Sequence, residues 1–341
     1  MMTISMQDVL PKWLPSNAVG HKGLTLIPLR EKVRQQRFED YLLTSEAIHL
    51  GVLSITEVGD SGSVPELQTI NTGDLSILLI DGEELQGAKQ NRILNTSIFL
   101  PPMSRELIPV SCVEEGRWDQ TSEEFESGNY APSSLRQQKS RDVQFNLREH
   151  GRAESDQDVV WDGVREHIEA CNIQAPTGAM SDAMENRSEV LSRYQEALPC
   201  PADACGVVAA VHGQLIAVDV FDSPSTLKAI WPRLIASYAM DAEKSTSKSK
   251  RPKLFTAKAV EVLLEHIAQQ QCQKFKSVGR GYDLRFEAST MLGQALYVED
   301  RILHMSVFPT STKPCRKITE GPHITPPSQR GGSGGERFTS E

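Results

Sequence analysis

The sequence has few of the features that mark secreted, membrane or nucleic-acid-binding proteins. Its 341 residues include 45 acidic and 36 basic side chains, which gives a formal net charge of −9. Nonspecific nucleic-acid binding depends on a basic surface, so we expect no nucleic-acid partner. No apolar run approaches the length of a membrane span, and the first fifteen residues lack the basic and apolar regions of a signal peptide. We therefore expect a cytoplasmic protein with no membrane partner.

Cysteine is also sparse and widely spaced. Of the six cysteines, only Cys200 and Cys205 lie close together, and no second pair completes a zinc site. Reduced thiols are the expected state in the cytosol. The sequence also lacks a Walker loop, a GxGxxG loop, an HExxH pair and a GxSxG elbow. These absences predict neither a metal nor a cofactor, and the sequence does not indicate an oligomeric state.

What the sequence does contain is a set of hairpin and helix patterns. Residues 206–221 read as a hairpin turning at His212-Gly213, and residues 293–308 as one of equal length turning at Glu299-Asp300. We expect both in one sheet system, with residues 75–99 as a looser third hairpin. Helical spacing appears at 160–170, after Ser181, at 224–240 and at 255–271. The sequence therefore predicts an α+β fold, in which antiparallel hairpins form a curved or barrel-like sheet core packed by about four helices.

The same patterns divide the chain into three parts. We predict an N-terminal arm at residues 1–20, a single α+β domain at 21–310 and a disordered tail at 311–341, which is rich in Gly, Ser and Pro. The alternative is a β-rich domain to about residue 130, followed by an α+β domain. Residues 119–158 are polar, and they predict either a solvated connection or a flap that brings cations over a site.

The densest polar cluster lies between residues 75 and 118. A buried strand at 75–80 ends in the turn Asp81-Gly82, and a second strand at 93–100 follows a charged and amide-rich stretch. Residues 106–114 form a third strand. Its period of two places Cys112 and Glu114 on one face together with Ile108 and Val110.

This cluster predicts a site. Cys112 and Glu114, two residues apart at a strand end, are the candidate catalytic pair, with His304 as an alternative proton carrier. Arg and Lys suit anionic groups, and Trp can stack on a planar ligand. The candidate ligand-binding residues are Glu83, Lys89, Gln90, Asn91, Arg92, Arg117 and Trp118. In the alternative interpretation, the thiol is a buried small hydrophobe and the charged residues form a solvated hairpin tip.

Several segments together resemble a known family. They are GEELQGAKQNRI and SCVEEGRW in the central stretch, GLTLIPL at 23–29, SSLRQQ at 133–138, GVVAAVHGQLIAVDVF at 206–221 and ILHMSVF at 302–308. Over about residues 18–310 the chain resembles the family named for its association with ADP-ribosylglycohydrolase (ARG) and rhodanese-phosphatase-superfamily proteins. The resemblance implies ADP-ribose or nucleotide chemistry nearby and assigns no residue roles.

Three classes of function fit these observations. The first is a domain that binds a small anionic molecule, such as a nucleotide or an ADP-ribose derivative, between the 83–92 hairpin and the 112–118 strand end. The second is an enzyme that uses Cys112 as nucleophile in the same place, which requires a lowered thiol pKa. The third is a protein-interaction module without pocket chemistry.

Overall fold

The computed structural model describes residues 2–32, 38–59, 62–244 and 256–310. The predicted tail at 311–341 lies outside these residues. The strands are Thr3–Ser5 (β1), Trp13–Pro15 (β2), Val19–His21 (β3), Leu24–Glu31 (β4), Tyr41–Leu43 (β5), Leu53–Glu57 (β6), Glu66–Asn71 (β7), Ser76–Leu79 (β8), Glu83–Gly87 (β9), Arg92–Leu94 (β10), Ile98–Leu100 (β11), Ser104–Cys112 (β12), Phe125–Tyr130 (β13), Gly206–Val211 (β14), Gln214–Phe221 (β15), Gln271–Lys276 (β16), Tyr282–Glu287 (β17), Met291–Val298 (β18) and Arg301–Pro309 (β19). The helices are Met6–Val9 (α1), Thr44–His49 (α2), Ser133–His150 (α3), Gln157–Cys171 (α4), Met180–Asn186 (α5), Ser188–Ala197 (α6), Pro224–Lys244 (α7) and Ala257–Ala268 (α8).

The predicted α+β class with antiparallel sheets is confirmed, and the helix count is corrected. The described residues contain eight helices rather than about four, because α1 is too short to show an apolar repeat, α3 lies in a segment read as polar, and the helix predicted after Ser181 is divided into α5 and α6. Helix α7 continues through Pro232 as one helix.

A ten-stranded sheet forms one side of the molecule. Its order is β1-β16-β17-β18-β19-β15-β14-β4-β2, and β3 pairs with the first part of β4, on the same edge as β2. The two predicted hairpins are confirmed as β14–β15 and β18–β19, and they are neighbours through the β15–β19 pair. Within and next to the predicted N-terminal arm at residues 1–20, the chain supplies β1 and β2 to this sheet and β3 beside β4.

Alternate residues of the large sheet face two apolar layers. Val207 packs in the layer that contains Trp231 of α7, and the next residue, Val208, packs in the layer that contains Val260 of α8. The sheet is therefore covered on both faces, which explains why its strands are almost continuously apolar.

A six-stranded sheet, in the order β13-β9-β10-β12-β7-β6, curls into a half-barrel. The hydroxyl of Ser54 on β6 donates to Glu124, just before β13, over 2.6 Å, so the two edge strands approach each other. Ile108 and Val110 of β12 point into the half-barrel and are buried, whereas Leu107 is 46% exposed. This alternation confirms the period-two prediction for this strand. The other inward residues are Leu53, Ile55, Leu67, Leu85, Leu94 and Phe125.

A three-stranded sheet, β11-β8-β5, covers the half-barrel. Strand β8 pairs with β11 antiparallel and with β5 parallel, while β9 and β10 pair with each other. The two ends of the predicted looser hairpin at 75–99 do pair antiparallel, as β8 and β11, and the chain between them supplies β9 and β10 to the six-stranded sheet.

The polar segment at 119–158 is also corrected. It contains β13 and the long helix α3, and residues predicted as solvated, such as Arg136 and Lys139, are completely buried. Their charges are compensated by Asp219 on β15 and by Asp81 in the turn after β8, and a local sequence pattern cannot show those partners.

Candidate functional site

The predicted cluster gathers at one end of the half-barrel, where β10 begins. Arg92 is the first residue of β10 and lies opposite Leu85 on β9 and Cys112 on β12. The chain reaches this point through a tight loop in which Gly87 has φ 120°. A Cβ at Gly87 would lie 2.5 Å from the Ser122 hydroxyl, so the close approach of these two segments requires glycine.

Arg92 is completely buried, and only part of its guanidinium is hydrogen-bonded. Its Nη1 donates to the carbonyl oxygen of Gln90 over 3.1 Å and to the Gln90 Oε1 over 2.9 Å. The Trp118 ring lies 5.4 Å from the guanidinium carbon, within cation–π range. Within the described residues, no hydrogen-bond partner is found for the Arg92 Nε or Nη2. The Cys112 thiol is beside the guanidinium, but sulfur is only a weak acceptor.

A second buried arginine shows the usual partner of the Nε–Nη2 edge of a guanidinium, the edge that lacks a hydrogen-bond partner in Arg92 among the described residues. Arg285 uses the same two nitrogens, Nε and Nη2, to donate to the two carboxylate oxygens of Asp283, each over 2.8 Å. This bidentate geometry is the one in which guanidinium binds carboxylate and phosphate groups. In Arg92 the equivalent edge lacks such an acceptor among the described residues.

Arg117 holds the loop in front of Arg92 in place. Its Nε and Nη2 donate to the two carboxylate oxygens of Glu114 over 2.8 and 2.6 Å, and its Nη1 donates to the Ala88 carbonyl over 2.7 Å. The backbone N–H of Asn91 also donates to Glu114, over 3.0 Å. Partial burial acts to raise the pKa of Glu114, but the hydrogen bonds from Arg117 and Asn91 lower it overall. Both charged groups are thus engaged with each other and with the loop.

The remaining predicted residues divide between this site and other places. Gln90 bridges the site, since its side chain donates to the Glu114 carbonyl and accepts from Arg92. Lys89 is half-buried in the same loop. Glu83 belongs elsewhere, because it accepts from Thr44 and Arg233 over 2.7 and 2.9 Å. The structure therefore brings together eight of the nine predicted residues and separates Glu83 from them.

The chemistry of Cys112 gives no sign of an activated thiolate. The residue is 1% exposed, and burial raises the pKa of its thiol to about 11, although the neighbouring Arg92 acts in the opposite direction. His304 bonds to Ser97 and Ser306 in a different cluster, over 2.7 and 3.2 Å. The role of Cys112 as a nucleophile stays a prediction, to be tested by its reactivity.

Sequence reasoning missed a buried ionic network between α3 and the large sheet. Asp219 accepts from Arg136 over 2.8 and 3.1 Å and from the hydroxyls of Tyr238 and Ser306, each over 2.5 Å. One turn further along α3, Lys139 donates to Asp81. The spacing of Arg136 and Lys139 by three residues on a helix face was the available signal. It was lost because the segment was not recognised as a helix.

Two further findings concern the described part of the chain as a whole. No group of His, Cys, Asp or Glu in it could hold a metal ion, and none of its helices is long and apolar enough to cross a bilayer. A cavity of about 430 Å³ borders the buried network at Thr96 and Asp283. The residues that line it do not include those of the Arg92 cluster.

Comparison with known proteins agrees with the resemblance seen in the sequence. No curated protein and no solved structure gives a significant match. The profile of one family does match, and it covers residues 15–308, which is most of the chain and includes the half-barrel, α3 and the large sheet. The chain therefore belongs to the ARG and Rhodanese-Phosphatase-superfamily-associated Protein domain family.

Proposed function

We propose that this protein binds a small anionic molecule through the Nε–Nη2 edge of Arg92. The observation that carries the proposal is a completely buried guanidinium with two adjacent donors lacking an oxygen acceptor among the described residues. Buried polar groups in folded proteins are nearly always hydrogen-bonded, and an orphan often marks a site for a missing group. A carboxylate or phosphate oxygen pair has the geometry to satisfy both donors at once.

A charged acceptor is energetically favoured over a neutral one at this edge. Leaving a buried donor unsatisfied costs about 1–3 kcal/mol, and more when the group is charged. Two such donors on one cation therefore supply a favourable free energy to any oxyanion that reaches them. A neutral carbonyl would accept only one of the two hydrogen bonds and would gain less from the positive charge.

Trp118 supports a ligand with a planar part. It is half-buried, it lies against Arg92, and an indole face can stack on a flat ring. A nucleotide or an ADP-ribose derivative carries both a phosphate and a planar base. The family's association with ARG proteins points to the same class of compound, and this support is by association only.

The test is binding of ADP-ribose, ADP and inorganic pyrophosphate, measured by thermal unfolding and by titration calorimetry. A ligand that binds the folded state stabilises it by about 2.7 kcal/mol at a concentration a hundred times its Kd. Arg92→Lys keeps the charge and removes the fork, so we expect the Kd to rise by at least about tenfold, the equivalent of about 1.4 kcal/mol.

Arg233→Lys is the matched control. It makes the same exchange at the Glu83 ion pair, outside the cluster, and we expect it to leave the Kd unchanged. Circular dichroism is used to check that each variant is folded. If Arg92→Lys does not fold, Trp118→Leu is the second variant to be tested. Absence of binding by the folded wild-type protein to all three compounds would contradict the proposal. That result would favour the protein-interaction module instead.

A further inference from the structure

Within the described residues, the carboxylate that pairs with the free edge of Arg92 belongs to Glu57. This residue ends β6, and the period of two places it on the inward face with Leu53 and Ile55. Its carboxylate Oε1 lies 3.6 Å from the Arg92 Nη2, and its side chain is only 9% exposed. The curl of the half-barrel thus brings an edge-strand carboxylate over the start of β10.

The contact between Glu57 and Arg92 is an ion pair without a hydrogen bond. At 3.6 Å the nitrogen and oxygen are too far apart for one. The Glu57 Oε2 is also buried without a hydrogen-bond partner in the described part of the chain. The pair therefore compensates charge and leaves unsatisfied groups on both partners.

Two other buried pairs in the same molecule are complete. Asp283 lies 2.8 Å from both nitrogens of the Arg285 edge, and Asp219 lies 2.8 and 3.1 Å from the two terminal nitrogens of Arg136. The chain can therefore form close bidentate pairs, and the incomplete geometry at Arg92 is a local property.

We infer that the Glu57 carboxylate is a built-in competitor of the ligand, which the ligand's oxyanion must displace from Arg92. This inference rests on the proposed function and adds the way in which the site is regulated. Two anions cannot share one guanidinium edge without repulsion, so binding requires the carboxylate to turn away. Glu57 is the last residue of β6, at the end of the ladder. Its Oε1 accepts one long hydrogen bond, 3.4 Å from the backbone N–H of Lys89, and that bond is what the carboxylate gives up when it turns away.

A competitor of this kind lowers affinity and raises selectivity. A ligand with a single weakly charged oxygen does not repay the loss of the Glu57–Arg92 attraction, whereas a phosphate or carboxylate that makes both hydrogen bonds does. The same carboxylate compensates Arg92 when no ligand is bound, which limits the cost of burying the cation in the empty protein.

The experiment is titration of the full chain with ADP-ribose, comparing the wild-type protein with Glu57→Gln. The amide has nearly the same shape and no charge, so we expect the Kd to fall by about tenfold, within the usual range for a coupled site. Glu57→Ala provides the same comparison if the amide variant does not fold. Glu66→Gln is the control for net charge, since it removes an exposed carboxylate from β7, and we expect it to leave the Kd unchanged.

The outcomes separate this inference from the proposed function. Tighter ADP-ribose binding by Glu57→Gln, with no change in Glu66→Gln, supports the role of Glu57 as a competitor. Equal or weaker binding by Glu57→Gln, with binding still weakened in Arg92→Lys, overturns the competitor and leaves Arg92 as the anion site. Absence of binding by both the folded wild-type protein and folded Glu57→Gln overturns the proposed function, and the competitor with it.

Discussion

Reactivity of Cys112 gives the sharpest distinction between a binding protein and a cysteine-dependent enzyme. Burial raises the pKa of its thiol from 9.0 to about 11. At a pH below both 9.0 and about 11, each unit of pKa changes the thiolate fraction about tenfold. At neutral pH the thiolate form of Cys112 should therefore be about a hundredfold scarcer than that of a cysteine with the ordinary pKa. Only the thiolate is a strong nucleophile. Because the side chain is also 1% exposed, the reagent has little access to it.

We therefore expect native Cys112 to react with iodoacetamide at least about a hundredfold more slowly than a small model thiol. The rate is measured by mass spectrometry of the peptide that contains Cys112, at about pH 7.5. Cys171, which is partly exposed at the end of α4, is an internal control in the same sample. In guanidinium chloride the chain unfolds, and the Cys112 rate should rise to that of an ordinary thiol.

Fast alkylation of native Cys112 would contradict the interpretation of this thiol as a packed side chain. If native Cys112 is alkylated as fast as the model thiol, or faster, then the site opens in solution and stabilises the thiolate. The Arg92 guanidinium would then outweigh burial, and the enzyme interpretation would gain support. A slow native rate and a fast unfolded rate would instead establish Cys112 as a packed side chain.

Two further predictions concern charges that the fold buries. Asp219→Asn should lower the free energy of unfolding by about 3–5 kcal/mol, because it leaves Arg136 buried without its counter-charge. The control is Asp203→Asn, at an exposed ion pair, which should change the free energy of unfolding by less than about 1 kcal/mol. Equal effects of the two substitutions in urea unfolding would contradict the stabilising role of the buried pair. Burial raises the pKa of Glu84 to about 7, from 4.5, so the folded state binds this proton more tightly and its contribution to stability is lost as pH rises from about 4.5 through 7. Glu84→Gln should remove this loss, so its stability relative to wild type should increase by up to about 3 kcal/mol between about pH 5 and about pH 8; a pH-independent difference would show that the carboxyl is not perturbed.

The predictable part of the fold rested on short-range patterns. The alternation of β12 and the turns at His212-Gly213 and Glu299-Asp300 are properties of a few adjacent residues, and the structure reproduces them. The clustering of Gln90, Arg92 and Trp118 with Cys112 and Glu114 was also accessible, since one hairpin and one strand end supply these residues. Family membership followed from motifs that lie along the whole chain.

The local sequence pattern therefore indicated the more apolar strands, such as β4, β12 and the two hairpins β14–β15 and β18–β19, and it nominated the candidate residues around Arg92. Which charges are buried, and what compensates them, depends on the tertiary structure. In the sequence, Arg136 and Lys139 look like solvated cations in a polar segment. In the fold they are buried against Asp219 and Asp81, which lie far away in the chain. Glu57 appears as an ordinary strand-end carboxylate until the half-barrel curls and brings it to Arg92, thirty-five residues later in the chain. Charge burial depends on partners that are remote in sequence, and no local periodicity records them.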